Sequence, residues 1–134
     1  MPLVDTNIVS ELMRPAPHPG VLAWLRSLRD SGVPLAVSAI TVDEIIFGLT
    51  RKPKPMSVQV FEQLLAHSVV LNVTESIARR AGEMRALLAG QGKTRSQADM
   101  LIAATAQVHA LTLVTRNERD FESCAIAVRN PFVD

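Results

Sequence analysis

The chain has no tyrosine, a single cysteine, one tryptophan and almost no excess of either charge. With Cys124 alone, no intramolecular disulfide and no cysteine-based zinc cluster can form, which fits a reducing compartment. Aromatic residues make up 4% of the chain, too few for a platform on which single-stranded bases stack. Fourteen basic against thirteen acidic side chains leave a formal net charge of +1, so bulk electrostatics does not hold nucleic acid and any such contact is local. Long apolar runs are missing too. The most apolar stretch, Ala98 to Thr115, is broken by Asp99, Gln107 and His109, and no membrane span is expected. Neither a G-x-G-x-x-G nor a Walker A loop is present, which sets aside the common nucleotide folds. The opening residues, Met1 to Val9, show no basic leader and no apolar stretch of signal length, so a cytoplasmic chain is expected.

What is present suits one domain spanning residues 1–134. Hydrophobic residues reach 48% of the 134 and charged residues 20%, enough for a core without staples. Strand and helix signals alternate. Pro2 to Val4, Leu35 to Ser38, Val69 to Val73, Leu111 to Thr115 and Ala125 to Val128 read as strands. Thr6 to Met13, Val21 to Leu28, Val42 to Thr50, Ser57 to His67, Glu75 to Ala89 and Arg95 to His109 carry helical spacing, and Asn117 to Ser123 reads as a loop or helical turn. The prolines between Arg14 and Gly20, Pro34, and the pair Pro53 and Pro55 punctuate these elements. Such alternation predicts an α/β fold, a mainly parallel central sheet flanked by helices on both faces. Sheets of this kind place their working groups at the carboxyl ends of the strands.

Acids sit at those ends. Asp5 follows the first strand, Glu44 lies early in the helix after Leu35 to Ser38, and Asp99 falls in the first turn of the helix near Ser96. A fourth, Asp120, follows Leu111 to Thr115. Each has a plain structural explanation. Asp5 suits an N-cap, Thr41-Val-Asp-Glu44 has the capping-box pattern, Ser96-Gln-Ala-Asp99 is close to it, and Arg95 stands ready to pair with Asp99. Two considerations favour more than capping. Asp99 belongs to a helix whose other residues read as buried, where a lone charge must be neutralised, paired or bound to metal. The parallel-sheet rule also brings Asp5, Asp99 and Glu44 to one edge, where like charges repel unless a cation offsets them. Carboxylates without cysteine and with few histidines make an oxygen-rich site, suited to Mg²⁺ or Mn²⁺ rather than zinc. Spacing leaves the choice of Glu44 over Asp43 open.

Cationic candidates for phosphate contacts are Arg51, Lys52, Lys54 and Arg116, with Arg79 and Arg80 read as ordinary surface charges. His18, His67 and His109 are scattered, Cys124 lacks an activating neighbour, and Trp24 and the methionines suit a core.

Four pieces, Val4-Asp-Thr-Asn-Ile-Val-Ser-Glu11, Val42-Asp-Glu-Ile-Ile-Phe-Gly-Leu49, Ala98-Asp-Met-Leu-Ile-Ala103 and Leu113-Val-Thr-Arg-Asn-Glu-Arg-Asp-Phe121, resemble in order the motifs of the PIN-domain family, within it the VapC-like and FitB-like toxins. The resemblance implies a three-layer α/β/α fold and a Mg²⁺- or Mn²⁺-dependent ribonuclease acting on RNA. It further implies homodimers and a small VapB-like antitoxin that blocks the site. By its motifs Asp5, Glu44, Asp99 and Asp120 would be the catalytic and metal-binding acids. Thr6, Asn7, Thr115 and Asn117 would be the polar residues that orient them. Many relatives carry an acid where this chain has Asn117, which leaves Asn117, Glu118 or Asp120 to complete the set. Two other readings stand beside this one. One is a PIN-like module that binds RNA or protein without cutting; the other is a phosphoacceptor domain built on Asp5, which the lack of a second aspartate in Asp5-Thr-Asn7 disfavours.

Overall fold

The computed structural model of the chain describes residues 1–133. Strand β1 (Leu3–Val4) leads into α1 (Thr6–Leu12) and α2 (Pro19–Asp30), then β2 (Leu35–Ser38), α3 (Ala39–Arg51) and α4 (Pro55–Ala66). Next come β3 (Ser68–Leu71), α5 (Glu75–Gly90), α6 (Gln97–Val108) and β4 (Leu113–Val114). A 3₁₀ turn (Glu118–Phe121) and β5 (Val128–Arg129) complete the order. The strands form one sheet in the order β3-β2-β1-β4-β5, and every neighbouring pair is parallel.

Alternation along each short strand sends successive side chains to opposite faces, and each face has its own core. Leu3, Ala36 and Leu113 stand in register and point to the layer of α5 and α6, where they meet Ile77, Met84, Met100 and Ile102. Val4, Val37 and Val114, one residue on, point the other way, to Ile8 and Val9 of α1, Trp24 of α2, Ile45 of α3 and Phe61 of α4. The result is the expected α/β/α sandwich. With Leu3, Val4, Ala36 and Val37 fully buried, β1 and β2 are apolar on both sides, as central parallel strands are.

Several boundaries differ from the sequence reading. Prolines at Pro19 and Pro55 open α2 and α4 rather than preceding them, because a first-turn residue needs no N–H donor. Helix α3 starts at Ala39, capped by the Ser38 hydroxyl, which accepts the Ile40 N–H at 3.0 Å. Thr41-Val-Asp-Glu44 is therefore not a capping box; Glu44 lies in the second turn. The last strand falls at Val128–Arg129 instead of Ala125 to Val128, since Ser123 and Ala125 take positive φ (67° and 55°) and turn the chain there.

Phe61 has no exposed surface and joins α4 to the sheet. Phe61→Ala is expected to remove about 3–5 kcal/mol of stability in urea denaturation, because neither the strands nor α1 can collapse fully into the vacated volume.

Candidate functional site

Beside β1 the path of the chain reverses: β2 and β3 lie on one side and β4 and β5 on the other. Loops leaving β1 and β4 therefore diverge and open a crevice at the carboxyl edge. Asp5 is the residue after β1, and its N–H donates to the Val114 carbonyl of β4 at 2.9 Å. Its side chain is 4% exposed. Oδ1 accepts the Thr6 N–H at 2.8 Å, capping α1, while Oδ2 accepts the Thr115 hydroxyl at 2.8 Å and the Asn7 amide at 3.2 Å. Thr115 Oγ1 in turn accepts the Asn117 N–H at 3.0 Å, and Asn7 Oδ1 accepts the Arg116 N–H at 3.1 Å. One carboxylate thus ties the start of the chain to the segment after β4.

Glu44 arrives from α3. Its Oε1 accepts the Thr6 hydroxyl at 2.6 Å. Since Thr6 spends its proton there, the buried Thr41 hydroxyl, 3.0 Å from Thr6 Oγ1, is the donor in that second bond. Asp99 comes from the first turn of α6, where its N–H donates to Ser96 Oγ at 3.0 Å and leaves the half-buried carboxylate to the pocket. Asp5, Glu44 and Asp99 line one pocket together with Thr6, Asn7, Arg116 and Asn117.

Charge is crowded here. Burial pushes the Asp5 carboxyl up to about 6, with Asp99 and Glu44 adding to it against the hydrogen bonds from Thr115 and Thr6. Asp99 is raised as well, by burial first; the Ser96 hydrogen bond opposes this, and the charges of Asp120 and Glu44 reinforce it. Arg95 does not form the ion pair with Asp99 that its position suggested. Its guanidinium donates instead to the carbonyls of Asp120 (3.0 Å) and Arg119 (3.3 Å), fastening the 3₁₀ turn. Asp120 itself lines an adjoining groove with Arg116, Asn117 and Glu118, outside the pocket of the other three acids.

Glu11 also lines the acid pocket and was not among the sequence candidates. It is 5% exposed. Burial alone would raise its carboxyl, but the His18 N–H at 2.8 Å and the Arg14 guanidinium at 3.2 Å outweigh that and hold it below the ordinary value. The available signal was an acid set among Ile8, Val9 and Leu12, one turn before a basic residue.

Of the cations, Lys52 and Lys54 line a second groove that shares Thr6 and Glu44 with the acid pocket. Arg51 instead lies over the Phe47 ring, 5.6 Å from its centroid. Arg79 is paired with Glu75, and Arg80 with Glu83 and Gln107, so both belong to the surface of α5 and its contact with α6.

Donor chemistry in the pocket fits a hard divalent ion, with acidic oxygens and no histidine or thiol. Among the described residues, no three His, Cys, Asp or Glu side chains already stand at separations that would hold a metal.

The family model of the PIN domain matches residues 3–126. The chain belongs to the PIN-domain family. It is 37% identical to the toxin FitB of Neisseria gonorrhoeae, over the whole of both chains. It is also 33% identical to the VapC ribonuclease Y4jK of Sinorhizobium fredii, over 98% of each. A solved structure of FitAcB from Neisseria gonorrhoeae covers 100% of both chains with a TM-score of 0.85 at 34% identity. In this PIN-domain chain the acids named from sequence fall at the carboxyl edge of the sheet, three of them in one pocket. No helix among the described residues is long and apolar enough to cross a membrane.

The raised Asp5 carboxyl has a consequence for stability. The folded chain binds that proton more tightly than the unfolded chain, so the associated stabilisation is complete below the ordinary value of 3.8 and is lost as pH rises through about 6. Metal-free protein is expected to lose on the order of 2–3 kcal/mol across this window in urea titrations at stepped pH. Asp5→Asn should flatten that slope; an unchanged slope in the variant contradicts the assignment.

Proposed function

We propose that this PIN-domain chain is a Mg²⁺- or Mn²⁺-dependent endoribonuclease and the toxin of a toxin–antitoxin pair. The observation that carries the reading is the gathering of Asp5, Glu44 and Asp99 around one pocket, where burial, with a smaller contribution from the other two charges, pushes Asp5 to about 6. A cation relieves that repulsion and RNA supplies the phosphodiester; likeness to a VapC ribonuclease supports the substrate class and likeness to the toxin FitB the biological role. A divalent ion held by the acids would lower the pKa of a bound water and offset charge on the scissile phosphate.

The chain's own residues divide the work. Asp5 is the fixed ligand, both its oxygens oriented by Thr6, Asn7 and Thr115. Glu44 is exposed and held by the Thr6 hydroxyl, which leaves it able to close on an ion. Asp99 supplies the third carboxylate. Asp120 acts on Asp99 through its charge and is the fourth acid of the set. Lys52 and Lys54, along the groove that begins at Glu44, offer phosphate contacts further from the acids. Without an ion, the acids repel RNA. A small antitoxin would cover the acid pocket, as the neighbouring FitAB and VapBC complexes suggest; the family resemblance adds a homodimer, and an RNA substrate suits the cytoplasm.

The alternative is a binding module without chemistry, and the lack of three acids at metal-holding separation among the described residues is the observation in its favour. Calorimetric titration separates the two: binding of Mg²⁺ or Mn²⁺ near neutral pH supports the nuclease, and none supports the module. On labelled RNA, Asp5→Asn and Asp99→Asn are each expected to lower Mg²⁺-dependent cleavage by on the order of 100-fold or more. Thr115→Val, which keeps shape but removes the donor to Asp5, should cost about 10–100-fold in metal affinity or activity. Undiminished cleavage by folded Asp5→Asn and Asp99→Asn proteins would remove the proposed site.

A further inference from the structure

Two arginines line the acid pocket, and their guanidinium groups are held differently. Arg14 is spent on Glu11, whose carboxylate it meets at 3.2 Å. Arg116 has no acidic partner among the described residues. Its guanidinium instead lies over the ring of Phe132, 4.6 Å from the centroid, within cation–π range.

The tail that carries Phe132 is itself anchored to the walls of the pocket. Asn130 Nδ2 donates to the Arg116 carbonyl at 3.2 Å, and Asn130 Oδ1 accepts the Phe132 N–H at 2.9 Å. Pro131 is buried, and its carbonyl passes so close to Gly20 that a Cβ there would lie 2.4 Å away. The Phe132 ring packs tilted against His18 at 5.0 Å, and the His18 N–H is the group bound by Glu11. Arg116 is fixed from the other side as well, its N–H donating to Asn7, which also binds Asp5. Backbone and side chain are thus both settled before any ligand arrives, which lowers the ordering cost of binding. A planar, unpaired guanidinium at the rim of a carboxylate pocket suits the phosphate oxygens of a bound strand.

We propose that Arg116 is a phosphate-binding residue for RNA at the mouth of the acid pocket and that Phe132, through the tail Asn130–Phe132, is its positioning residue. This rests on the RNA-cleaving reading above and deepens it. The stack holds the guanidinium without an ion pair to any acid among the described residues.

The test is fluorescence anisotropy with a fluorescein-labelled RNA stem-loop in Mg²⁺, in the Asp5→Asn background so that the probe stays intact, beside steady-state cleavage by the otherwise unchanged protein. Arg116→Ala is expected to weaken binding about tenfold and to reduce the slope of log affinity against log salt by roughly 0.7–0.9, the loss of one phosphate contact. Phe132→Leu should weaken binding about threefold without changing that slope, and Phe132→Trp should restore it. The double variant should bind no more weakly than Arg116→Ala alone. In cleavage the same changes should raise KM and leave kcat in place. Equal affinity of Arg116→Ala and its parent, additive losses in the double variant, or a parent that binds no RNA would each overturn the proposal. If the affinity series holds while unmutated protein cuts nothing, the nuclease reading fails and the Arg116–Phe132 pair stands. Cleavage with KM untouched by Arg116→Ala removes the pair and leaves the nuclease.

Discussion

The bond from the Thr115 hydroxyl to the Asp5 carboxylate is the interaction on which the site depends. A nearly buried carboxylate is costly unless its lone pairs are satisfied, and here the satisfying groups come from both ends of the chain. Thr6 and Asn7 follow Asp5 directly; Thr115 follows a strand made 110 residues later. Because β1 and β4 are parallel neighbours, their carboxyl ends coincide, and that coincidence turns two separate strand ends into one polar centre. The three donors fix the orientation of Asp5, yet they do not cancel its charge, and its carboxyl stays high.

Around that centre the other acids are held with graded firmness. Thr41, buried under α3, gives its proton to Thr6, and Thr6 gives its own to Glu44, so a relay of two hydroxyls links the core to an exposed carboxylate. Asp99 is placed by the first turn of α6 and Asp120 by the 3₁₀ turn that Arg95 fastens. The two pocket arginines complete a division of labour in which one offsets the buried Glu11 and the other stands on an aromatic ring. A buried carboxylate with three donors, two more open ones and a pair of arginines follow from local geometry.

Much of this was readable from residue order. Alternation of β-branched runs with helical stripes gave away a parallel sheet, and acids at the predicted strand ends did fall at its carboxyl edge. The misreadings have local causes. Thr41 and Glu44 match a capping box, but Ser38 caps the helix three residues earlier, and Thr41 is buried on the core-facing stripe that runs on through Ile45 to Leu49. The apolar run Ala125 to Val128 points to a strand that the structure begins only at Val128, because the positive φ of Ala125 has no sequence signal in an alanine. Arg95 has the right spacing to pair with Asp99, and only the fold reveals two carbonyls that compete better. The Phe132–Arg116 stack joins residues whose meeting depends on where β5 ends, information that no spacing rule contains.

The position of β1 has a consequence for how the molecule is made. Strand β1 occupies the middle of the sheet, and one of its two neighbours, β4, is made only after α1 to α6. Contacts so distant along the chain form late and slow folding. A growing polypeptide that has not reached Thr115 therefore has only the local donors Thr6 and Asn7 for Asp5, and the acidic centre is completed only once β4 has been made.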